Sequence, residues 1–455
     1  MINIDTLGLI FSIVTSILFW GTAFFVLIRI LFVAFGYENI EFYIASKDTL
    51  IKNFVFASEK NILIDADASK SGFFKICMKI ILLGVSVRLI TLLLAFIFLT
   101  IEGHNASIIG IFNSFNRWDA PHYLVLADIG YSYLERGYNL FLVFFPLYPW
   151  LIRLVNIFTG NFLVAAYIVS FISYLIGLCY IYHLVKLDFS ESTAWWAVIL
   201  ISIFPFSFFF GAPHTESVFM LTTAMTLYYI RTHRWFLAGI AGAFAANTRM
   251  VGIILVAAAA VEFVMTYKLF TLMKKEKWNE FFDVVDTKGL FILLMFIGTI
   301  VYFIINWYIS GDPLRFMYYQ RINWHNGFLY FGETMRMQFG RLHSISIENI
   351  IRPSAVYVHG ANILAFSFCV WMCVYAAIKR HNAAYIVYAM GYTFVSYSML
   401  WLLSGGRYAT ALVPVFIFLA DYVQKNPRRR IVVSVIIIIL FLPILRSYVL
   451  GRYIM

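Results

Sequence analysis

Charged side chains are scarce in this chain, and their scarcity excludes a water-soluble domain of any size. Asp, Glu, Lys and Arg make up 13% of the 455 residues, hydrophobic residues make up 62%, and the mean hydropathy is +0.84. Soluble domains carry roughly 25% charged residues and about 45–50% apolar ones. Irregular backbone exposed to lipid is costly, so the crossings must be helical. The sequence therefore predicts an all-α polytopic membrane protein.

Cysteine is also rare, and the four cysteines all fall inside apolar stretches: Cys77, Cys179, Cys369 and Cys373. Their spacing fits neither a zinc site nor a disulfide framework, so we interpret them as buried small hydrophobes. Basic residues are missing before the first apolar run, residues 8–36, which is also too long for a signal sequence. We expect this run to be a retained span rather than a cleavable signal peptide.

Long apolar runs are abundant, and about twelve of them are candidates to cross the bilayer, whose ~30 Å core takes about 20 helical residues. They are 8–36, 72–101, 162–185, 193–212, 217–231, 235–247, 250–266, 289–309, 355–378, 383–403, 408–424 and 431–450. A further run, 140–158, contains Pro146, Pro149 and Arg153. We expect it to lie in the interface as an amphipathic helix of the first external loop.

The net charge of +11 is explained by membrane topology. Lys and Arg sit in short loops between the apolar runs, as the positive-inside rule predicts, so we predict membrane lipid and no nucleic acid as a partner. The basic loops, such as 268–288 and 425–430, fall on one side of the membrane if 140–158 does not cross it. That side is then cytoplasmic. The opposite face collects 102–161, 213–216, 247–249, 310–354 and 404–407.

The most unusual external sequence is FNRWDAPHYLVLADIGY, which starts at residue 115. Five polar or aromatic residues are crowded into seven positions: Arg117, Trp118, Asp119, His122 and Tyr123. A carboxylate beside Trp and Arg suits a general base whose pKa is set by partial desolvation and a nearby cation. The alternative is an interfacial anchor, because Trp, Tyr, Arg and His all favour the membrane surface.

Two further external turns carry an acid and an arginine. PHTES contains His214 and Glu216, and Glu216 would be either a second acid or a solvated turn carboxylate. Arg249, in the sequence NTR, interrupts a long apolar run. An arginine near membrane depth is a candidate functional residue, and an anion is its natural partner.

The sequence SGGRY provides the second external arginine. Gly405 and Gly406 allow close backbone approach, Arg407 heads the next predicted span, and Tyr408 follows it. Arginine binds phosphate well because its planar fork offers several donors. The alternative for Arg249 and Arg407 is snorkelling to the lipid headgroups.

Taken together, two acids and two arginines from four loops fall on one predicted face. This combination suits a reaction whose donor is a lipid-linked phosphate. The arginines would hold the phosphate leaving group, and a carboxylate would take a proton from the acceptor.

The run RWDAPHYLVLADIGY followed by FFPLYP resembles the signature of the GPI mannosyltransferase II (PIG-V) family, within the glycosyltransferase C superfamily. Four later stretches are similar to that family in order and spacing: SIFPFSFFFGAPHTESVF, LAGIAGAFAANTRMVGI, GDPLRFMYYQRINW and SGGRYATALVPVFIFLA. Together the matches cover most of residues 115–424. We therefore expect a single membrane domain over 1–455, with an added span and cytoplasmic loop in 1–71, a glycosyltransferase C-like core in 72–424 and a C-terminal span in 425–455.

The resemblance implies an inverting transfer of a hexose, typically mannose, from a polyprenyl-phosphate sugar to a lipid-linked or surface acceptor. It implies Asp119 as general base, Trp118 and His122 around it, and Glu216 as a second acidic position. It also implies an amphipathic helix in the first external loop. The placement of Arg249 and Arg407 near the donor phosphate is our own inference from charge and topology. The remaining substrate-binding candidates are Arg117, Tyr123, His214 and Tyr408.

Two other classes are alternatives: a transporter or flippase of lipid-linked saccharides, and a non-catalytic membrane subunit. A transporter should have repeated halves and broken helices, and the sequence has no obvious repeat. Some glycosyltransferases of this superfamily need a divalent cation, but the carboxylate, His and Glu present favour a metal-independent enzyme without a cofactor. The style of the sequence predicts a prokaryotic cell membrane, or the endoplasmic reticulum membrane if the source is eukaryotic. The acceptor, whether lipid-linked, protein or polymer, is left open.

Overall fold

The computed structural model describes residues 4–37, 70–132, 134, 138–343 and 356–452. Within these ranges the chain is mostly helical, and an isolated β-bridge joins Phe328 to Met399. Most of the predicted cytoplasmic loop 37–71 and the end of the segment 310–354 lie outside the described residues.

Twenty α-helices follow one another in the described ranges. They are α1 Ile4–Ala34, α2 Lys70–Ile101, α3 Ile108–Phe115, α4 Ala120–Asp128, α5 Leu147–Thr159, α6 Phe162–Asp188, α7 Glu191–Ile203, α8 Glu216–Arg231, α9 Trp235–Thr248, α10 Leu255–Tyr267, α11 Leu269–Lys274, α12 Trp278–Thr287, α13 Phe296–Ser310, α14 Arg315–Asn323, α15 Phe331–His343, α16 Ala361–Ile378, α17 Ala383–Tyr397, α18 Gly405–Ala411, α19 Val413–Gln424 and α20 Pro427–Val449. Short 3-10 segments at Leu140–Val143, Ser207–Gly211, Met250–Ile254 and Gly289–Met295 and a π-turn at Val356–Gly360 join some of them.

Seven helical stretches in the described residues are long and apolar enough to cross a membrane, and α18 with α19, bent by 77°, would make an eighth. The seven are Thr6–Ala34, Phe73–Ile101, Phe162–Asp188, Met250–Tyr267, Trp278–Ser310, Tyr357–Ile378 and Pro427–Val449. The protein is therefore an all-α, multi-pass membrane protein. The predicted number of about twelve crossings is not confirmed.

The difference arises because four predicted spans form helices shorter than the ~20 residues that a crossing takes. The helices α7, α8, α9 and α17 have 13, 16, 14 and 15 residues. The run 193–212 is divided after Ile203, where Pro205 has no amide hydrogen to continue the helix and a 3-10 turn follows. The run 383–403 stops being helical after Tyr397.

The run 140–158 forms a 3-10 turn followed by the 13-residue helix α5. At 1.5 Å per residue, a helix of this length spans only about 20 Å, too little to cross the hydrocarbon core. One face, including Tyr148 and Ile152, is fully buried, whereas Leu154 and Phe158 are exposed. This agrees with the predicted interfacial helix.

The core of the bundle is built on close contact between α6 and α8. Gly177 of α6 makes this possible, because a Cβ atom there would lie 2.6 Å from Met220 Cε and 3.4 Å from Leu221 Cα. Small residues at such crossings let two helix backbones approach and gain van der Waals contact. The start of α8 is thereby fixed against α6, and this end of α8 carries Glu216.

The opposite end of α8 is held by a buried ionic network. Arg231 donates to Asp188 at 2.6 Å and also bonds Glu262, while Tyr385 donates to Asp188 at 2.8 Å. The side chains of Arg231 and Glu262 are 6% and 3% exposed. Ion pairs buried to this degree are strongly coupled, because each charge has lost its hydration.

Replacing Arg231 with Met is expected to destabilise the protein by about 3–5 kcal/mol, because the buried carboxylate of Glu262 and the partly buried carboxylate of Asp188 would lose the cation that they share. Thermal unfolding of the purified protein in detergent measures the change. The matched control is Lys277→Met, which removes an exposed cation from a Lys277–Glu280 pair, and such surface pairs are worth about 0–1 kcal/mol. Equal stability of the two variants would contradict the prediction.

Candidate active site

Two carboxylates and two guanidiniums meet at one point of the bundle. Arg407 donates through Nη1 to Asp119 Oδ2 at 2.6 Å, through Nη2 to Glu216 Oε2 at 3.4 Å, and through Nε to Glu216 Oε1. Arg249 donates through Nη2 to Glu216 Oε1 at 2.8 Å. The sequence predicted these four residues on one face, and in the structure they form one ion-pair cluster, called here the Asp119–Arg407 cluster.

The chain segment before α4 brings Asp119 to the cluster through a tight turn. Trp118 has a φ of 58°, in the left-handed region that non-glycine residues rarely occupy. The amide of Ala120 donates to the carbonyl of Arg117 at 3.1 Å, and the amide of Tyr123 donates to the carbonyl of Asp119. The Asp119 side chain therefore projects from the start of a helix, where the backbone amides favour a negative charge.

The segment that positions Glu216 begins with the 3-10 turn Ser207–Gly211. Glu216 is the first residue of α8, and its side chain is 0% exposed. Next to it, Ser217 donates to the carbonyl of Phe210 at 2.8 Å, which ties the helix start to the 3-10 turn. The alternative of a solvated turn carboxylate is therefore excluded by the structure.

Close packing places both arginines. The backbone of Gly406 lies against Phe206, such that a Cβ atom at residue 406 would be 2.1 Å from the Phe206 ring. Arg407 is therefore held within the bundle, and its guanidinium lies 5.0 Å from the centroid of the Phe209 ring. Arg249 lies 5.8 Å from the ring centroid of Tyr408. Both arginines are paired with acids inside the protein, which is not the geometry of snorkelling side chains.

Asp119 is the most accessible member of the cluster. Its side chain is 31% exposed, against 5% for Arg407 and 0% for Glu216. Burial raises the pKa of Asp119, but the charge of Arg407 and its hydrogen bond to the carboxylate outweigh burial, and the pKa lies below its ordinary value. Asp119 is therefore ionised at neutral pH, and it is the more accessible of the two carboxylates in the cluster.

His214 is fully buried beside the cluster. Neither ring nitrogen has a hydrogen-bond partner among the described residues, and its ring lies edge-on to Phe209 at 5.0 Å. Burial and the positive charge of Arg407 lower the pKa of His214 to about 3. The imidazole is therefore neutral at physiological pH and adds no charge to the cluster.

The other predicted site residues lie around the cluster in different ways. Tyr123 packs edge-on against Phe144 and Tyr148, with ring centroids 5.1 and 5.2 Å apart. The His122 ring lies 5.4 Å from that of Phe144, which directly follows the 3-10 turn before α5. These two aromatic residues fix α4 on α5 and so support Asp119.

Arg117 is turned to the C-terminal helix and donates no hydrogen bond to a cluster carboxylate. Its Nε donates to the carbonyl of Ser114 at 2.9 Å, and its Nη2 donates to the carbonyl of Val449 at 3.1 Å. Gly451 has a φ of 71°, in the left-handed region that favours glycine, and a Cβ atom there would lie 2.2 Å from Arg117 Nη1. Arg117 thus fastens the Asp119 turn to the end of α20, and its predicted contact with substrate stays a prediction.

Sequence reasoning missed Phe209 and Arg88. Phe209 forms the aromatic wall beneath Arg407, but one Phe among 47 carries no distinguishing signal. Arg88 lies inside the span of α2 and is 5% exposed. A charged residue in the middle of an apolar run is a functional candidate by default, and this signal was present in the sequence.

No group of three or more His, Cys, Asp and Glu side chains that would hold a metal ion occurs in the part of the chain that the structure describes. The ionic groups of the cluster are the two acids and two arginines. Their charges cancel, and the geometry can bind an anion if the anion replaces a carboxylate on a guanidinium. A partly exposed carboxylate next to bound phosphate is an arrangement for proton abstraction.

Residues 145–302 match the family model described as dolichyl-phosphate-mannose-protein mannosyltransferase. The match covers about a third of the chain and includes Glu216 and Arg249, but neither Asp119 nor Arg407. It supports the class predicted from the sequence, a membrane glycosyltransferase. It does not single out the GPI mannosyltransferase II family.

Similar solved structures include the oligosaccharyltransferase of Archaeoglobus fulgidus in its apo form, with 13% identity, a TM-score of 0.42, and coverage of 80% of this chain and 56% of that chain. Another is the archaeal oligosaccharyltransferase AglB from Archaeoglobus fulgidus with an inhibitory peptide and a dolichol-phosphate, with 13% identity, a TM-score of 0.40, and coverage of 82% and 56%. The chain spans little more than half the length of these structures, and scores of this size do not define a shared fold. No curated protein matches the chain.

Proposed function

We propose that this protein is a membrane glycosyltransferase of the C type, related to the PIG-V enzymes. It transfers a hexose, mannose in our proposal, from a polyprenyl-phosphate sugar to a lipid-linked or cell-surface acceptor. The reaction takes place at the extracytoplasmic face of a prokaryotic cell membrane. Asp119 is the general base, and Arg249 and Arg407 bind the donor phosphate.

The observation that carries this proposal is the shared guanidinium of Arg407, which bonds Asp119 and Glu216 at once. An arginine that already bonds two carboxylates is placed to bond a phosphate next to one of them. Arg249 has a further donor, Nη1, which has no partner among the described residues. A phosphate between the two arginines would use this donor and would bring the sugar anomeric carbon close to Asp119.

The reaction is a single displacement at the anomeric carbon. The acceptor hydroxyl loses its proton to a carboxylate oxygen of Asp119, and its oxygen forms a bond to the anomeric carbon. The bond between that carbon and the phosphate oxygen breaks, and polyprenyl phosphate leaves with one more negative charge. The arginines stabilise this charge as it develops. Attack opposite the leaving group inverts the anomeric configuration.

The function is tested by sugar transfer in membranes that contain the protein and in matched membranes that lack it. Radiolabelled polyprenyl-phosphate mannose and the glucose-linked donor are supplied separately, and product is measured in the lipid and polymer fractions. We expect transfer from the mannose donor in membranes that contain the protein and no transfer in membranes that lack it. Movement of a labelled lipid-linked saccharide across the bilayer without transfer would contradict the proposal and favour the flippase alternative.

The pH dependence of transfer tests the link between Arg407 and the base. In wild type the pKa of Asp119 is below its ordinary value, so Asp119 is ionised above that pKa and activity falls only when the pH drops through it. Arg407→Gln removes the cation but leaves Asp119 as buried as before, so the pKa of Asp119 rises. As the pH is lowered, the variant should therefore lose activity at a less acidic pH than the wild type. The acid limb of kcat/KM, which reports groups of the free enzyme, should therefore move upward.

Samples returned from acid to neutral pH before assay control for irreversible unfolding. An acid limb that stays in the same place in Arg407→Gln would mean that the arginine does not set the protonation of the base.

A further inference from the structure

Arg88 is a buried intramembrane cation without a carboxylate partner among the described residues. It lies in α2, and its guanidinium donates through Nη1 to the carbonyl of Ser207 at 2.6 Å and through Nη2 to the carbonyl of Ser202 at 2.8 Å. The ring of Tyr174 lies under it at 4.9 Å. A charge in this position is costly, so its contacts need an explanation.

The contacts of Arg88 fall on the place where helix α7 ends. Ser202 is in the last turn of α7, whose final carbonyls have no partner within the helix. Ile203 ends the helix, and Pro205 has no amide hydrogen to continue it. A cation at a helix C-terminus is favoured by the helix dipole. Arg88 therefore caps α7 inside the membrane.

The same guanidinium also fixes the start of the next segment. Ser207 begins the 3-10 turn, and its hydroxyl donates to the carbonyl of Ser202 at 2.7 Å, while Tyr174 donates to the Ser202 hydroxyl at 2.9 Å. A Cβ atom at Gly211 would lie 3.1 Å from Arg88 Cδ, so the far end of the turn also passes closely over the arginine. Both ends of the 3-10 turn rest on Arg88.

This turn leads directly into the candidate active site. It carries Phe209, which lies under Arg407, and it ends five residues before Glu216, which Arg407 binds. We propose that Arg88 is a positioning residue for the transfer reaction. It holds the turn so that Phe209 and Glu216 orient Arg407, and it contacts no substrate itself. The effect of Arg88 on the transfer rate rests on the proposed function, whereas its effect on the position of the 3-10 turn does not.

The first test compares Arg88→Met with Arg88→Lys in the full-length protein. We expect Arg88→Met to lower kcat by about 10²-fold, because misplacement of catalytic groups by about 1 Å has effects of this size. KM for the mannose donor should change less than kcat. Arg88→Lys should recover part of the rate, since an ammonium bonds one of the two carbonyls. Lys79→Met, a loss of an exposed charge from the same helix, is the control.

A second variant keeps the charge. Gly211→Ala pushes a methyl group against Arg88 and should lower kcat in the same direction. In the Arg88→Met background the same substitution should have little further effect, because residues that act through one contact are not additive. Full additivity of the two losses would overturn the proposal.

Hydrogen exchange provides a readout that does not depend on transfer. Arg88→Met should speed amide exchange in residues 207–216 and leave the exchange of α2 near wild type. Unchanged exchange in 207–216 would overturn the positioning role, even if activity falls. If Arg88→Met speeds exchange in residues 207–216 but membranes with the wild-type protein transfer sugar from neither donor, the positioning of the turn is supported and the proposed function is contradicted.

Discussion

Asp119→Asn is expected to reduce kcat for transfer from polyprenyl-phosphate mannose by about 10²–10⁴-fold, the usual contribution of a general base. The amide keeps the size of the side chain and still accepts a hydrogen bond from Arg407, but it does not take the proton of the acceptor hydroxyl. Because Asp119 is 31% exposed, the variant should insert and fold as the wild type does. Transfer rates are compared at equal amounts of folded protein in the membrane.

Asp128→Asn is the matched control for this experiment. Asp128 is the last residue of α4, the helix that directly follows Asp119, and it is exposed. Its substitution should leave the rate unchanged. Equal activity of the Asp119 variant and wild type would reject Asp119 as the base and direct attention to Glu216.

Glu216→Gln is expected to lower the free energy of unfolding by about 3–5 kcal/mol, because it leaves two buried guanidiniums with one partly exposed acid between them. The carboxylate accepts bonds from both Arg249 and Arg407 and is 0% exposed. Transfer should fall as well, since neither arginine is then held in place. Thermal unfolding in detergent measures the stability, and the residual rate of the folded fraction measures the effect on the site.

Glu333→Gln is the matched control, because it removes a carboxylate from an exposed ion pair instead of a buried one. Glu333 and Arg336 form a surface pair at 3.7 Å with both side chains about half exposed, and such pairs contribute about 0–1 kcal/mol. Glu333→Gln should therefore be nearly neutral. Adding Arg249→Gln to Glu216→Gln should restore part of the lost stability, because it removes one of the unpaired charges. A double variant less stable than Glu216→Gln would contradict the ion-pair explanation.

The sequence predicted the membership of the cluster better than its arrangement. Loop charges put Asp119, Glu216, Arg249 and Arg407 on one face, and the structure brings all four into contact. The sharing of one guanidinium by two acids was not predictable, because it depends on Gly406 lying against Phe206. That contact is between residues 200 positions apart, and no local pattern encodes it.

The length of the crossings was predicted less well for a related reason. Hydropathy averages over a window, so the runs that contain Pro205 and the segment after Tyr397 appeared as continuous spans. The backbone at these points leaves the helix in order to position Phe209 and Arg407. These helices end shortly before residues of the candidate site, so a rule that assumes uninterrupted spans predicted too many membrane crossings.

The burial of His214 and the backbone contacts of Arg117 were not predictable either, because they depend on tertiary packing alone.

The separation of the cluster residues along the chain has a consequence for biogenesis. Glu216 and Arg249 are 33 residues apart, whereas Arg407 is 191 residues from Glu216 and 288 from Asp119. Domains generally fold from the N-terminus first during synthesis, so we expect the Glu216–Arg249 pair to form before Arg407 is made. Asp119 gains its partner in the cluster only when Arg407, 288 residues later in the chain, has been synthesised. A nascent chain stopped before residue 407 would therefore insert most of its helices and still lack Arg407, the residue that bonds both Asp119 and Glu216.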